Sequence, residues 1–321
     1  MTAAQSRTPP RDNGPMRLAL FLMCAVACGQ DTRVILLGTG TPNPEPDHMG
    51  PAVAVVSGDR VYVVDCGPGV VRRAAQAGIQ MEQLTRAFIT HLHSDHTAGC
   101  PDLMLTPPNA GRKEPLEIYG PPGVRAMTAN LLRAFKEDLA MRIHGTQPGD
   151  PRGFVVTAHD VKPGEVYRDA AVRVTAFAVT HGNWKHAYGY RFEARDKTIV
   201  ISGDTTYSEN LAKIAKDCDI LVHEVYSQKG WEKRAPDWQR YHAAFHTPAP
   251  DVGRIAAKAR PRKLVLYHLL PMGEAPEQVL REVREYFDGD TLYGKDLDVI
   301  RQQRFRLNQR TLEDPRRELQ Q

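Results

Sequence analysis

Residues 90–99 read THLHSDHTAG and continue the apolar run RAFIT (86–90), which predicts a buried strand. His91, His93, Asp95 and His96 therefore fall within six positions. In an extended segment alternate side chains share one side, so the first three can converge while His96 points elsewhere. One loop can thus serve two neighbouring metal ions, and donors without a thiolate favour Zn²⁺ or a similar borderline metal. The fold must then bring other ligands to this loop.

Three further candidates stand where a predicted strand meets a loop: His181 in AVTHG, Asp204 in ISGDTT and His268 in LVLYHLL. Taken singly, each is more typical of a hydrogen-bonded histidine or a turn aspartate, but together with the cluster they indicate a dinuclear site. We assign Asp204 as the carboxylate that bridges two ions. The first ion takes His91, His93 and His181, and the second takes Asp95, His96 and His268. Such a pair would hold a bridging hydroxide near neutral pH, since a bound cation lowers the pKa of water to about 7.

The rest of the chain alternates short β-branched runs with helical stretches, which is typical of an α/β protein. The segments VYVVDCGPG (61–69) and TIVISGDTT (198–206) are both apolar strands that end in an aspartate close to a glycine. We therefore expect two similar β-rich halves with helices outside. The predicted strands span 33–38, 52–58, 60–67, 86–90, 170–182, 188–194, 197–204, 219–226 and 263–269. The predicted helices span 70–78, 121–143, 209–217, 251–260 and 275–287.

The first 30 residues predict export. Arginines precede the apolar segment LALFLMCAVACGQ (18–30), which is too short to span a bilayer but fits the core of a signal peptide. Cleavage after Ala27 gives a soluble periplasmic protein, whereas a loose lipobox ending at Cys28 gives a lipid-anchored one. Met16 is an alternative start, and a buried N-terminal helix is the other interpretation of the apolar segment.

Charge and cysteine content add little to these indications. The net charge is only +4, and the basic residues are interleaved with acidic ones. Composition alone therefore does not indicate nucleic-acid binding. Cys66, Cys100 and Cys218 show no C-x-x-C spacing and are predicted to be small buried apolar residues. Residues 301–321 are charged and poor in apolar side chains, so we expect a partly disordered tail.

The order of short motifs is distinctive. It runs GTGTP (38–42), VVDCGPG (63–69), THLHSDH (90–96), IYGPPG (118–123), VTHG (179–182), YGYR (188–191), SGDT (202–205), HTPAPDVGRIA (246–256) and YHL (267–269). This series resembles the metallo-β-lactamase fold and, within it, the branch of ribonuclease Z and arylsulfatases, over residues 33 to about 290. The resemblance implies a four-layer αββα sandwich with two zinc ions, or other divalent metals, held at one sheet edge by the seven ligands assigned above. It also implies that His246 acts on the substrate oxyanion or leaving group, with Glu224 as its orienting partner.

One segment departs from the ribonuclease Z pattern. In that family a long arm that grips tRNA lies between the YGYR-like and SGDT-like strands, whereas FEARDKTIVI (192–201) has room only for a hairpin. Residues 91–93 read H-x-H, where the diiron oxygen-reducing relatives have H-x-E. The sequence therefore also argues against membership in that group. We therefore expect residues 31–300 to form an exported, periplasmic or lipid-anchored zinc hydrolase of phosphodiesters or sulfate esters, like an arylsulfatase or phosphodiesterase. Asp95 would orient the metal-bound hydroxide, and His246 would assist the departing oxygen. Two alternatives stay open: a carbonyl hydrolase acting on a β-lactam, lactone or thioester, and a metal-binding module without activity.

The segment between Glu224 and His246 mixes aromatic and basic side chains and must end near the metals. It is either a lid that offers stacking and positive charge to an anionic ester, or an amphipathic surface helix with a solvated charged face. The predicted substrate residues are Trp184, Trp231 and Trp238. The predicted partners are a small anionic ester or lactam-like substrate without tRNA, a membrane through Cys28, and a second copy in a homodimer.

Overall fold

The strands of residues 31–301, the part that the computed structural model describes, form two seven-stranded sheets. In order of pairing the first sheet contains β14 (Val299–Ile300), β1 (Arg33–Gly38), β2 (Ala52–Ser57), β3 (Arg60–Val64), β4 (Arg86–Phe88), β5 (Leu116–Gly120) and β6 (Val156–Asp160). The second contains β13 (Thr291–Tyr293), β12 (Lys263–Leu270), β11 (Ile220–Tyr226), β10 (Thr198–Ile201), β9 (Ala187–Ala194), β8 (Val172–Val179) and β7 (Gly164–Arg168). In both sheets antiparallel pairs lead into parallel ones, from β3 to β6 and from β10 to β13. The two halves are therefore similar, as the sequence predicts.

The helices pack on the outer faces of the two sheets or lie in the loops that join the strands. They are α1 (Val70–Gln76), α2 (Ser94–Thr97), α3 (Cys100–Asn109), α4 (Val124–Ala134), α5 (Lys136–His144), α6 (Glu209–Ile214), α7 (Gln228–Glu232), α8 (Pro236–Phe245), α9 (Ala249–Ala259) and α10 (Pro276–Arg284). In β1, Val34 and Leu36 join the cluster between the sheets, while Ile35 and Leu37 join the cluster beneath α1 and α3. A third cluster joins the second sheet to α6, α9 and α10. Both faces of the central strands are buried, so their sequences show no polar alternation. The predicted αββα sandwich is confirmed.

The metal-binding candidates lie at one edge of the sandwich because several strands end there. Strands β3 and β4 are parallel, as are β10, β11 and β12. Strand β8 is antiparallel to β9, which is antiparallel to β10, so β8 also ends at the edge where β10 ends. Loops at the carboxyl ends of such strands are the usual place for a ligand site in an open α/β sheet.

Some predicted elements differ from the structure. The helix predicted over 121–143 is two helices that meet at Phe135, and it begins after Gly123, whose φ of 111° is left-handed. Helix α3 was not predicted, because Pro107 and Pro108 lie in its last turn and proline is unfavourable inside a helix. The predicted strands also omit β5 and four strands that are short or half-exposed, namely β6, β7, β13 and β14.

Cys66, Cys100 and Cys218 are buried, as predicted. The signal peptide or lipoprotein anchor predicted at 1–30, with Cys28, lies outside the described residues, as do residues 302–321 of the predicted tail. Export, the membrane tether, the tail's disorder and the domain boundaries therefore stay predictions. Within residues 31–301 no helix is both long and apolar enough to cross a membrane.

Candidate metal centre

The first predicted donor set is assembled from both sheets. His93 Nδ1 lies 2.9 Å from His91 Nε2 and 3.1 Å from His181 Nε2. Asp204 Oδ2 lies 3.9 Å from His91 Nε2 and 3.8 Å from His181 Nε2. One donor atom from each of these four residues therefore lies within 4.8 Å of the others.

The second predicted donor set lies beside the first. His268 Nε2 is 3.3 Å from Asp95 Oδ2, and His96 Nε2 is 3.5 Å from the same oxygen. Asp204 Oδ2 is 3.3 Å from both His96 Nε2 and His268 Nε2. The structure thus brings the seven predicted ligands together, with Asp204 facing both sets. That they bind metal ions stays a prediction.

The local backbone geometry determines the direction in which the candidate ligands point. The predicted extended segment ends at His93, because Ser94–Thr97 forms helix α2 and carries Asp95 and His96 around to the second set. His268 is the extra residue of a β-bulge in β12 and has a φ of 44°. A bulge re-aims a side chain, and a left-handed residue other than glycine costs about 1–3 kcal/mol, so the fold holds this histidine in a strained backbone.

The electrostatics of the cluster fit a cation. Burial lowers the pKa of His91 well below its usual range and that of His181 to about 4, so both rings are neutral, as metal ligands must be. Burial also opposes a charge on His96, but the Asp204 and Asp65 carboxylates outweigh it and raise its pKa well above the usual range. The buried atoms His96 Nε2 and Asp204 Oδ1 have no hydrogen-bond partner among the described residues. A bound metal ion would supply both the charge and the missing contacts.

Two carboxylates behind the ligands were not predicted as site residues. Asp65, at the end of β3 with a φ of 61°, accepts hydrogen bonds from the Thr90 N–H at 2.8 Å and from His96 Nδ1 at 2.8 Å. It thereby directs His96 Nε2 at the second set. Its only sequence signal was that its strand end resembles that of Asp204. The second is Asp296, which accepts from the N–H groups of Thr39 at 2.9 Å and Met49 at 2.8 Å.

His246 and Glu224 form the pair that the resemblance implies. Glu224 Oε1 accepts from the N–H groups of Thr205 and Thr247, each at 3.1 Å, and lies 3.3 Å from His246 Nδ1. Burial raises the pKa of Glu224 well above its usual range and lowers that of His246 to about 4. Since Nδ1 faces Glu224, Nε2 is the nitrogen left for a substrate. The predicted role of the pair is untested, and His246 also lies within ligand distance of Asp204 and His268.

The three tryptophans predicted to contact substrate have different surroundings. Trp184 Nε1 donates to His93 Nε2 at 2.7 Å, so this indole lies beside the first donor set. Trp231 Nε1 donates to the Gln239 carbonyl at 2.9 Å and joins α7 to α8. Trp238, on α8, is 53% exposed. The segment predicted as a lid or a surface helix is thus helical, and the connection between β9 and β10 is only three residues long, 195–197.

Comparison with known proteins places this architecture. A family model described as "Beta-lactamase superfamily domain" matches residues 60–269. Ribonuclease Z of Mycobacterium bovis (strain BCG / Pasteur 1173P2) is 31% identical over 277 residues, which cover 83% of this chain and 97% of that protein. The metallo-β-lactamase fold protein YhfI from Bacillus subtilis has a TM-score of 0.65 at 20% identity and covers 84% of this chain and 99% of its own. The short form of human tRNase Z has a TM-score of 0.64 at 21% identity and covers 85% of this chain and 100% of its own.

These relatives correct the predicted function. The expectation of an arylsulfatase-like or phosphodiesterase-like enzyme is wrong, because a relative that matches over nearly its whole length is named as a ribonuclease. The carbonyl-hydrolase and non-catalytic alternatives are set aside with it. The expected absence of tRNA among the partners conflicts with the same names, so the short 192–201 hairpin did not justify that exclusion. A homodimer stays a prediction.

Proposed function

We propose that this chain, which belongs to the metallo-β-lactamase superfamily and within it to the ribonuclease Z branch, hydrolyses phosphodiester bonds of RNA. It is a metal-dependent hydrolase by family membership. The relatives' names supply the substrate class, and a precursor tRNA with a 3′ extension is the first RNA to test.

The meeting of two donor sets at Asp204 is the observation that carries this proposal. Paired metal ions about 3.5–4 Å apart are typical of nucleases and phosphatases, where they stabilise both the attacking and the leaving oxygen. The distances from Asp204 Oδ2 to nitrogens of both sets, 3.3–3.9 Å, leave room for an ion on each side of this carboxylate.

We take the ions to be two zinc ions, because imidazole and carboxylate donors suit zinc. When bound, they supply a water with a pKa near 7 and positive charge beside the phosphate. The protein groups do the rest. Asp95, held between His96 and His268, orients the attacking water. His246, whose neutral ring is set by Glu224, gives its Nε2 proton to the departing ribose oxygen while its Nδ1 takes the proton that Glu224 carries.

The test uses the full chain loaded with zinc and a precursor tRNA carrying a 3′ extension. We expect a single cut that leaves no 2′,3′-cyclic phosphate, because the nucleophile is water and not the ribose 2′-hydroxyl. For the same reason a 2′-deoxynucleotide at the cleaved bond should still be cut, and water labelled with ¹⁸O should label the product phosphate.

Chelation of zinc should abolish cleavage, and zinc should restore it. An aryl sulfate and nitrocefin serve as comparison substrates in the same preparation. Absence of RNA cleavage by the zinc-loaded chain, or a cyclic phosphate product, would show that the proposed function is wrong.

A further inference from the structure

Helix α8 carries an aromatic stripe that consists of Trp238, Tyr241, His242 and Phe245. The spacing i, i+3, i+4, i+7 marks the core-facing side of an amphipathic helix. His242 fits this expectation and is 6% exposed, but Trp238 and Tyr241 remain 53% and 39% exposed. Trp238 and Tyr241 are therefore exposed to solvent on the side of the helix that is ordinarily buried.

The stripe is continuous with the metal centre. The rings of Trp238 and Tyr241 are 5.7 Å apart, and Tyr241 stacks on Phe245 at 4.5 Å. Phe245 in turn packs against His181 at 4.9 Å, and its carbonyl lies 2.7 Å from His181 Nδ1. Burial and then the Asp204 and Asp95 carboxylates raise the pKa of Tyr241, in keeping with its place beside the centre. The exposed rings thus lead directly to a metal ligand.

Positive charge flanks the stripe. Residues 227–246 contain four lysines and arginines against two acidic residues. Arg234 and, beside Trp184, Lys185 form no ion pair with any residue in the described part of the chain. Arg234 precedes the exposed Trp238 by four residues, and an unpaired cation near exposed rings complements a ligand that carries both phosphates and flat bases.

We propose that the α8 stripe stacks unpaired bases of the RNA next to the cleaved bond. This inference rests on the proposed function and deepens it. Stacking of a base on an aromatic side chain is sequence-tolerant and worth about 5- to 150-fold in binding per base. A base within a duplex is already stacked on its neighbours and cannot offer its face. The three-residue 195–197 connection leaves the grip on RNA to elements such as α8.

The test compares two RNAs that are cut at the same bond by the zinc-loaded full chain. One has ordinary unpaired nucleotides beside the bond, and the other has abasic riboses there. We expect the wild type to cut the first with a kcat/KM about 5- to 150-fold higher. A double variant, Trp238→Ala with Tyr241→Ala, should lose most of this preference through a higher KM, and Trp238→Phe with Tyr241→Phe should keep it. Phe135→Ala, which removes an exposed ring (40%) from the α4–α5 junction, should keep both rate and preference.

Zinc content and thermal melting of each variant show whether it is folded. Equal cutting of the two RNAs by the wild type, or an undiminished preference in the folded double variant, would overturn this inference and leave the proposed function standing. A double variant that keeps the preference but sediments as a smaller species would assign the stripe to contact with a second copy, which also overturns it. If the wild type cuts no RNA, the proposed function itself fails.

Discussion

The two sides of the candidate metal centre are built in different ways. The loop of the first sheet supplies His91, His93, Asp95 and His96 within six positions, whereas the second sheet supplies three donors from separate strand ends. The four donors of the first sheet form the compact side, whose geometry depends on the local backbone, an extended stretch followed by helix α2. The three donors of the second sheet form the distributed side, whose geometry depends on strand order and on a bulge at His268. A single change on the distributed side can therefore affect both donor sets, because Asp204 belongs to both.

Asp204→Ala should have the largest effect. It removes the carboxylate that faces both sets, so bound zinc should fall from two ions to fewer than one per chain. RNA cleavage should drop by about 10²–10⁴-fold, since a metal ion contributes several kcal/mol to the transition state. Atomic emission measures the zinc, and single-turnover cleavage measures the rate. His181→Ala, which touches only the first set, should leave the second ion in place; two ions retained in Asp204→Ala would contradict the bridging assignment.

His246→Ala separates catalysis from metal binding on the distributed side. Because His246 is assigned to the leaving oxygen, kcat should fall by about 10²-fold or more while zinc content stays unchanged. The matched variant is His268→Ala. The ring of His268 stacks on that of His246 at a centroid distance of 5.5 Å, but His268 is assigned as a metal ligand, so this variant should lose zinc. Loss of zinc from His246→Ala would make His246 a ligand instead.

Asp65→Asn tests the support of the compact side. The amide cannot accept from His96 Nδ1 and from the Thr90 N–H at once, so His96 loses its fixed orientation. The affinity for the second zinc ion should fall by about 10- to 100-fold. Competition with a chromogenic chelator measures that affinity. Asp102→Asn, on the exposed side of α3, is the control; equal affinities in the two variants would leave Asp65 without this role.

Trp184→Phe should have the smallest effect and reports on metal entry. When His93 binds a metal through Nδ1, the remaining ring proton sits on Nε2, and it then faces the N–H of Trp184. The indole must turn away, so zinc should change the tryptophan emission of the wild type. Trp184→Phe should lose most of that change and Trp231→Phe should keep it. An identical zinc response in wild type and Trp184→Phe would contradict the movement.

The sequence predicted which candidate donors come together better than it predicted their surroundings. The compact donors share one short motif, and His181, Asp204 and His268 each follow an apolar run, so all seven could be found. Asp65 and Asp296 act on other residues through tertiary contacts and leave no spacing pattern. The bulge at His268 is equally invisible in LVLYHLL. The substrate prediction failed for a different reason, because the short connection between β9 and β10 excludes only one way of holding RNA.

The position of Asp296 bears on the order in which the parts of the metal centre become available as the chain is synthesised. All seven candidate ligands precede residue 269, yet this one carboxylate, close to the end of the described chain, fixes Thr39 and Met49 and contacts Arg73 Nε at 3.1 Å. The loop that holds Thr39 and Met49 continues to Gly50, where a Cβ would lie 3.0 Å from the Asp95 carbonyl oxygen. A growing chain therefore carries all seven candidate donors before Asp296 is made, and this loop is anchored only after that.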